Sequence, residues 1–172
     1  MNATKVKNVA GLAVMLLAFT SLHASPPATP RTALFGGVWS VKWCDKSQAA
    51  SECGRFTALL VQDGERLCGR FSGVRPGMTQ IDEGEPRSIR GLVIDDAAVV
   101  AATSSRNEGT YLVRLERKGN DIHWRLGEQV GVGDNGDIQL LAIDEVLSRR
   151  DGASDQEELT VVKAECQVTT PE

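Results

Sequence analysis

The sequence predicts an all-β protein, an eight-stranded antiparallel up-and-down barrel, and three observations carry that prediction. From Gly37 onward, short runs alternate apolar and polar residues with the period of two that a strand requires. The runs are punctuated by Asp63-Gly64, Asp95-Asp96 and Gly119-Asn120, residues that accept the backbone of tight turns. Helical spacing is missing everywhere except in the tail, which leaves room for a helix. A near-uninterrupted meander of eight strands is best closed into a barrel, because closure removes exposed sheet edges.

The elements follow in order. Trp39, Val41 and Trp43 alternate with Ser40 and Lys42 in the first strand. Residues 55–62 and 65–72 form a hairpin around Asp63-Gly64, where both turn positions need positive φ. In its second arm Leu67, Gly69 and Phe71 share one face, and Arg66, Cys68 and Arg70 the other. Residues 74–86 read as a polar Gly/Pro loop, with the solvated carboxylates Asp82, Glu83 and Glu85. Residues 88–94 and 97–103 pair around Asp95-Asp96. Residues 106–109 turn the chain into strand 110–117, where Tyr111, Val113 and Leu115 share a face. Ile122, Trp124 and Leu126 then alternate with His123 and Arg125, which places His123 on the solvent side. A turn built on Asn135-Gly136 leads to a last long strand, residues 138–147.

The chain divides into a secretory signal (1–24), a Pro-rich lead-in (25–36), the barrel (37–150) and a tail (151–172). Lys5 and Lys7 precede an apolar run from Val9 to Phe19, and Leu22 and Ala24 occupy the positions a signal peptidase reads. The run is shorter than the roughly 20 residues of a membrane span. Cleavage after Ala24 leaves 148 of 172 residues, one domain with its own core. Without Lys5 and Lys7, 17 basic residues face 23 acidic ones, a net charge of −6. That balance argues against nucleic acid and anionic membranes as partners. The mature chain contains no second apolar stretch long enough to span a bilayer. An exported, periplasmic or secreted protein is expected.

Cys44, Cys53, Cys68 and Cys166 form an even set in an exported chain and read as two disulfides. Three pairings are possible. The favoured one is Cys44–Cys53, closing a short polar loop, with Cys68–Cys166. Cys68 lies on the outward register of its strand, so a bridge to Cys166 would strap the tail across the outside of the barrel. A metal site would need closer cysteine pairs or a histidine partner, and neither is present.

Gly37-Val38-Trp39 resembles the G-x-W opening of calycins, the lipocalin and avidin superfamily, in which the tryptophan plugs one end of an eight-stranded barrel. Leu67-Cys68-Gly69-Arg70-Phe71 resembles the L-C-G-R-(I/V) signature of a family of small exported bacterial proteins with a lipocalin-like barrel. Ile81-Asp82 and the run from Arg90 to Ile94 continue that pattern. The similarity spans the first half of the mature chain and departs in the Cys53 to Cys68 spacing, the extra cysteines and the long tail. It implies a calycin-like barrel and no particular activity. The G-x-W start and a disulfide are also similar to bacterial metalloprotease inhibitors, which insert a mobile N-terminal segment into the protease cleft. The matching segment here, residues 25–34, contains a Pro26-Pro27 pair foreign to that pattern.

Catalytic patterns are sparse. His123 is the single histidine of the mature chain, whereas a hydrolytic triad needs histidine backed by a carboxylate and facing a nucleophile. The paired acids Asp95-Asp96 and Asp144-Glu145 read as solvated, and residues 131–137 lack the ligand spacing of an EF-hand. No cofactor motif is present. Trp39, Trp43, Phe56, Phe71, Tyr111 and Trp124 all fall on the inward register. They form either a packed core or an apolar pocket with Tyr111 or an arginine at its mouth. These observations predict a non-enzymatic binding protein of the bacterial envelope. Its partner is expected to be a protein, in the manner of an inhibitor or immunity factor, engaged through loops 45–52 and 74–86. The alternatives are a carrier of a small apolar ligand inside the barrel and a hydrolase with an unrecognised site.

Overall fold

Alternating side chains give every strand one apolar face that must leave water, and a closed sheet hides all such faces at once. The computed structural model describes residues 33–44, 53–78, 80–133 and 138–167. The expected leader, most of the lead-in, the 45–52 loop and the Asn135-Gly136 turn lie outside them. The strands are β1 (Gly37–Trp43), β2 (Gly54–Asp63), β3 (Arg66–Val74), β4 (Ile81–Glu83), β5 (Ile89–Ile94), β6 (Ala97–Thr103), β7 (Thr110–Lys118), β8 (Asp121–Gly131) and β9 (Asp144–Arg150), followed by helix α1 (Ala153–Gln167). All pairings are antiparallel. Eight strands form the ring β1-β2-β3-β5-β6-β7-β8-β9, closed by β9 on β1, while the three-residue β4 is an annex on the end of β3.

Three details differ from expectation. Asp63 stays in β2 opposite Arg66, so the hairpin loop is Gly64-Glu65, with Gly64 at φ 58°. β4 interrupts the loop expected over 74–86. The last strand begins at Asp144 rather than 138, because Leu140, Leu141 and Ala142 are buried in succession. Three consecutive inward residues cannot belong to an alternating strand. Instead they fold into the mouth of the barrel, where the indole Nε1 of Trp124 donates to the Ala142 carbonyl at 2.8 Å. Gly73 is required at that point: a Cβ there would lie 2.2 Å from the Leu140 carbonyl oxygen.

Aromatic side chains fill the interior. Phe56 lies 5.9 Å from Trp43, 5.8 Å from Phe71 and 5.0 Å from Trp124, ring centre to ring centre. Such pairs contribute about 0.5–1.5 kcal/mol each beyond the burial of their area. Ala58, Ala98 and Ala102 make room for them. At the end opposite the mouth, Phe35 is fully buried although it precedes the first strand. Its carbonyl accepts from Trp39 Nε1 at 2.7 Å, and its N–H donates to Gln62 Oε1 at 3.0 Å. The guanidinium groups of Arg117 and Arg149 lie 5.2 and 5.4 Å from the centre of the Trp39 ring, within cation–π range. The hairpin turns at that end, at Gly64, Asp95 and Gly119, are short. The mouth end carries the longer connections, and this asymmetry positions the candidate site.

Both disulfides, Cys44–Cys53 and Cys68–Cys166, are formed, which fits an oxidising environment outside the cytoplasm. The second fastens α1 to the outside of the barrel. Leu159, Val162 and Cys166, spaced by three and four residues, face Val38, Leu59 and Val61. Only Val162 among the apolar residues of this stripe is fully buried, so packing alone holds the helix weakly. Replacing both Cys68 and Cys166 by serine should lower stability by about 4–5 kcal/mol, the value for a bridge closing a loop of this length. Urea denaturation reads that loss, and amide exchange in residues 153–167 should accelerate more than exchange in β7.

Candidate functional site

The mouth is organised by one carboxylate. Because β4 pairs with β3, its side chains alternate, with Ile81 and Glu83 exposed and Asp82 completely buried. Asp82 was expected in solvent, and the pairing of β4 is what turns it inward. Its Oδ2 accepts from Ser104 Oγ at 2.6 Å and from the Leu140 N–H at 3.1 Å. Its Oδ1 accepts from the Ser105 N–H and Oγ, both at 3.0 Å. Four donors from two further connections thus converge on one side chain, and three separate loops become one platform. Ser104 extends the network, since its Oγ accepts from the Arg106 N–H at 3.2 Å.

On this platform an open depression of about 490 Å3 is bordered by Trp43, Arg75, Pro76, Ile138, Ile143 and Glu145. Ile143 is 65% exposed and Ile138 46%, while Trp43 is half-buried. The site therefore combines an aromatic side, two exposed branched aliphatics and one charge of each sign.

The residues singled out in the sequence fall into two groups. Trp39, Phe56, Phe71, Tyr111 and Trp124 are all buried in the barrel core, and of the six Trp43 alone borders the depression. Tyr111, assigned to the mouth as a polar handle, has its hydroxyl engaged by Asn107 Nδ2 at 2.7 Å. Asn107 Oδ1 in turn accepts from the Gly109 N–H at 2.9 Å. His123, expected in solvent, is 9% exposed. It points outward but lies against the neighbouring strand, where its Nε2 hydrogen-bonds the Asp144 carboxylate. Among the described residues no hydroxyl or thiol is bonded to it, and all four cysteines are in disulfides. Ser104 and Ser105 are site residues that the sequence reading lacks, and residues 138–142, read as the start of a strand, are instead the plug. The signals are the Ser-Ser pair and the adjacent apolar run Leu140 to Ile143 just before a strand.

The class of protein that these features define is an eight-stranded antiparallel β-barrel with a carboxylate-locked loop platform and a disulfide-strapped helix. Comparison with protein-family models, with curated proteins and with solved structures gave no match.

Two measurements test the site. Asp82→Ala removes the acceptor for four hydrogen bonds and should cost about 3 kcal/mol or more in urea denaturation. Exchange should rise at 104–109 and 138–142 but not around Trp39. For Asp144, the hydrogen bond with His123 holds the carboxyl below its ordinary range; burial opposes this, and the charges of His123, Arg125 and Lys118 add to it. A depressed folded value means that the β8–β9 link is intact above the ordinary carboxylate range and is lost as pH falls through the depressed one. NMR titration of Asp144 should show that low midpoint, and His123→Ala should raise it.

Proposed function

We propose that this chain is an exported, non-enzymatic binding protein with a calycin-like barrel, which recognises a protein partner through the loop-bearing end. The carrying observation is the exposed pair Ile138 and Ile143 beside Trp43, on loops that Asp82 holds in one arrangement before any partner arrives. Pre-ordered loops lower the entropy cost of association, which favours tight recognition of the inhibitor or immunity type. The aromatic core supports surface recognition over a ligand carried inside, since Phe56, Phe71 and Trp124 occupy the middle of the barrel with each other. Loop 74–86 supplies Arg75 and Pro76 to the same depression.

A photo-crosslinking residue placed at position 143 in the producing cell should yield one protein adduct, whereas position 96 at the opposite end should yield none. With the partner purified, Ile143→Asp should weaken the complex about thirtyfold, roughly 2 kcal/mol. Adducts from both positions or from neither would overturn the reading. So would native mass spectrometry showing a stoichiometric small molecule on the protein from its own host, which would establish a carrier instead.

A further inference from the structure

On the outside of the barrel, the outer faces of β9, β1, β2 and β3 carry an unbroken row of hydroxyls. The registers align Ser148 with Ser40, Ser40 with Thr57, and Thr57 with Ser72. At about 4.8 Å per strand, the row spans roughly 14 Å. Next to it Lys42 and Arg55 stand directly opposite each other on β1 and β2. Both are exposed, and neither makes an ion pair among the described residues. Like charges in this position weaken a sheet unless something anionic lies between them. On the other flank stands Arg150, whose guanidinium is steadied by the buried Asp155 at 2.7 Å.

Two adjoining depressions of about 470 and 480 Å3 both include Lys42, Arg55 and Arg150 in their walls. Thr57 and Ser72 line one, and Ser40 and Ser148 the other. Among the described residues, the single acid lining either depression is Glu158 of α1, while Asp155 is already engaged by Arg150 and by the Gly152 N–H at 3.0 Å. The cleft is therefore a local cationic site on a chain whose overall charge is negative.

We propose that this cleft binds a phosphate group, carried on an ester or as the free ion. Two guanidinium forks, an ammonium and a row of hydroxyls offer more donors than a single carboxylate accepts, and they match the several oxygens and the double charge of phosphate. The volume exceeds that of the bare ion and leaves space for the organic part of an ester. The site shares no lining residue with the depression at the mouth.

The test uses the full disulfide-bonded chain, with inorganic phosphate and a sugar phosphate as probes and sodium chloride at equal ionic strength as the control. Phosphate should raise the melting temperature saturably, and NMR shifts should centre on residues 40–42, 55–57 and 148–150. The double variant Lys42→Ser, Arg55→Ser should bind phosphate at least about tenfold more weakly, as loss of charge-assisted hydrogen bonds implies. Without phosphate it should melt no lower than the parent, since a repulsive pair has been removed. Three results would overturn the proposal: an equal gain in chloride, an equal gain in the double variant, or a double variant destabilised without phosphate. Tighter binding of the sugar phosphate identifies an ester as the ligand, and equal affinity identifies the free ion.

Discussion

Closing eight strands into a ring creates an interior of fixed width, and the rest of this molecule is arranged around the need to fill it. Phe56 sits at the centre of the solution, in contact with Trp43, Phe71 and Trp124. Four large rings fit because small residues such as Ala58, Ala98 and Ala102 face the same space. Each end then needs a stopper. Phe35 and Trp39 serve at one end, and Leu140 to Ala142 at the other. Both stoppers place backbone where water cannot reach, and both use an indole N–H to satisfy a carbonyl there.

Filling the mouth with backbone has its own electrostatic demand. An inserted segment brings amide groups that must find acceptors, and the Leu140 N–H finds Asp82. A buried carboxylate is tolerable only when surrounded by donors, and Ser104 and Ser105 complete that shell. The loop platform is thus a by-product of the packing problem. The loops are held in place because the barrel had to be closed, and the exposed Ile138 and Ile143 lie on the far side of the segment that closes it.

Much of the fold was legible because period-two alternation is local. Leu67, Gly69 and Phe71 declared their face, and with it the outward position of Cys68 that made the strap to Cys166 readable. Tyr111, Val113 and Leu115 did the same for β7. The candidate site was less legible, because its logic is long-range. Asp82 reads as a solvated loop acid until β4 is known to pair with β3, and its donors lie 22 to 58 residues away. His123 was placed on the correct face but in the wrong environment, since alternation reports direction and not what the neighbouring strand brings alongside. Residues 138–142 resembled the start of a strand because apolar content alone does not distinguish a plug from a pairing edge.

The cysteine order also shapes how the chain matures. Cys44 and Cys53 are nine residues apart, whereas Cys68 finds its partner 98 residues later. In a chain entering an oxidising compartment from its N-terminus, the first two thiols can pair at once. Cys68 must then wait, reduced, until almost the whole barrel has followed. During that interval it is a lone thiol beside a bond that can exchange with it. Oxidation in order of emergence gives the native pairing, whereas oxidation of the completed chain must choose among three. The cysteine order therefore makes correct pairing easier in sequential oxidation than in refolding from a reduced, full-length state.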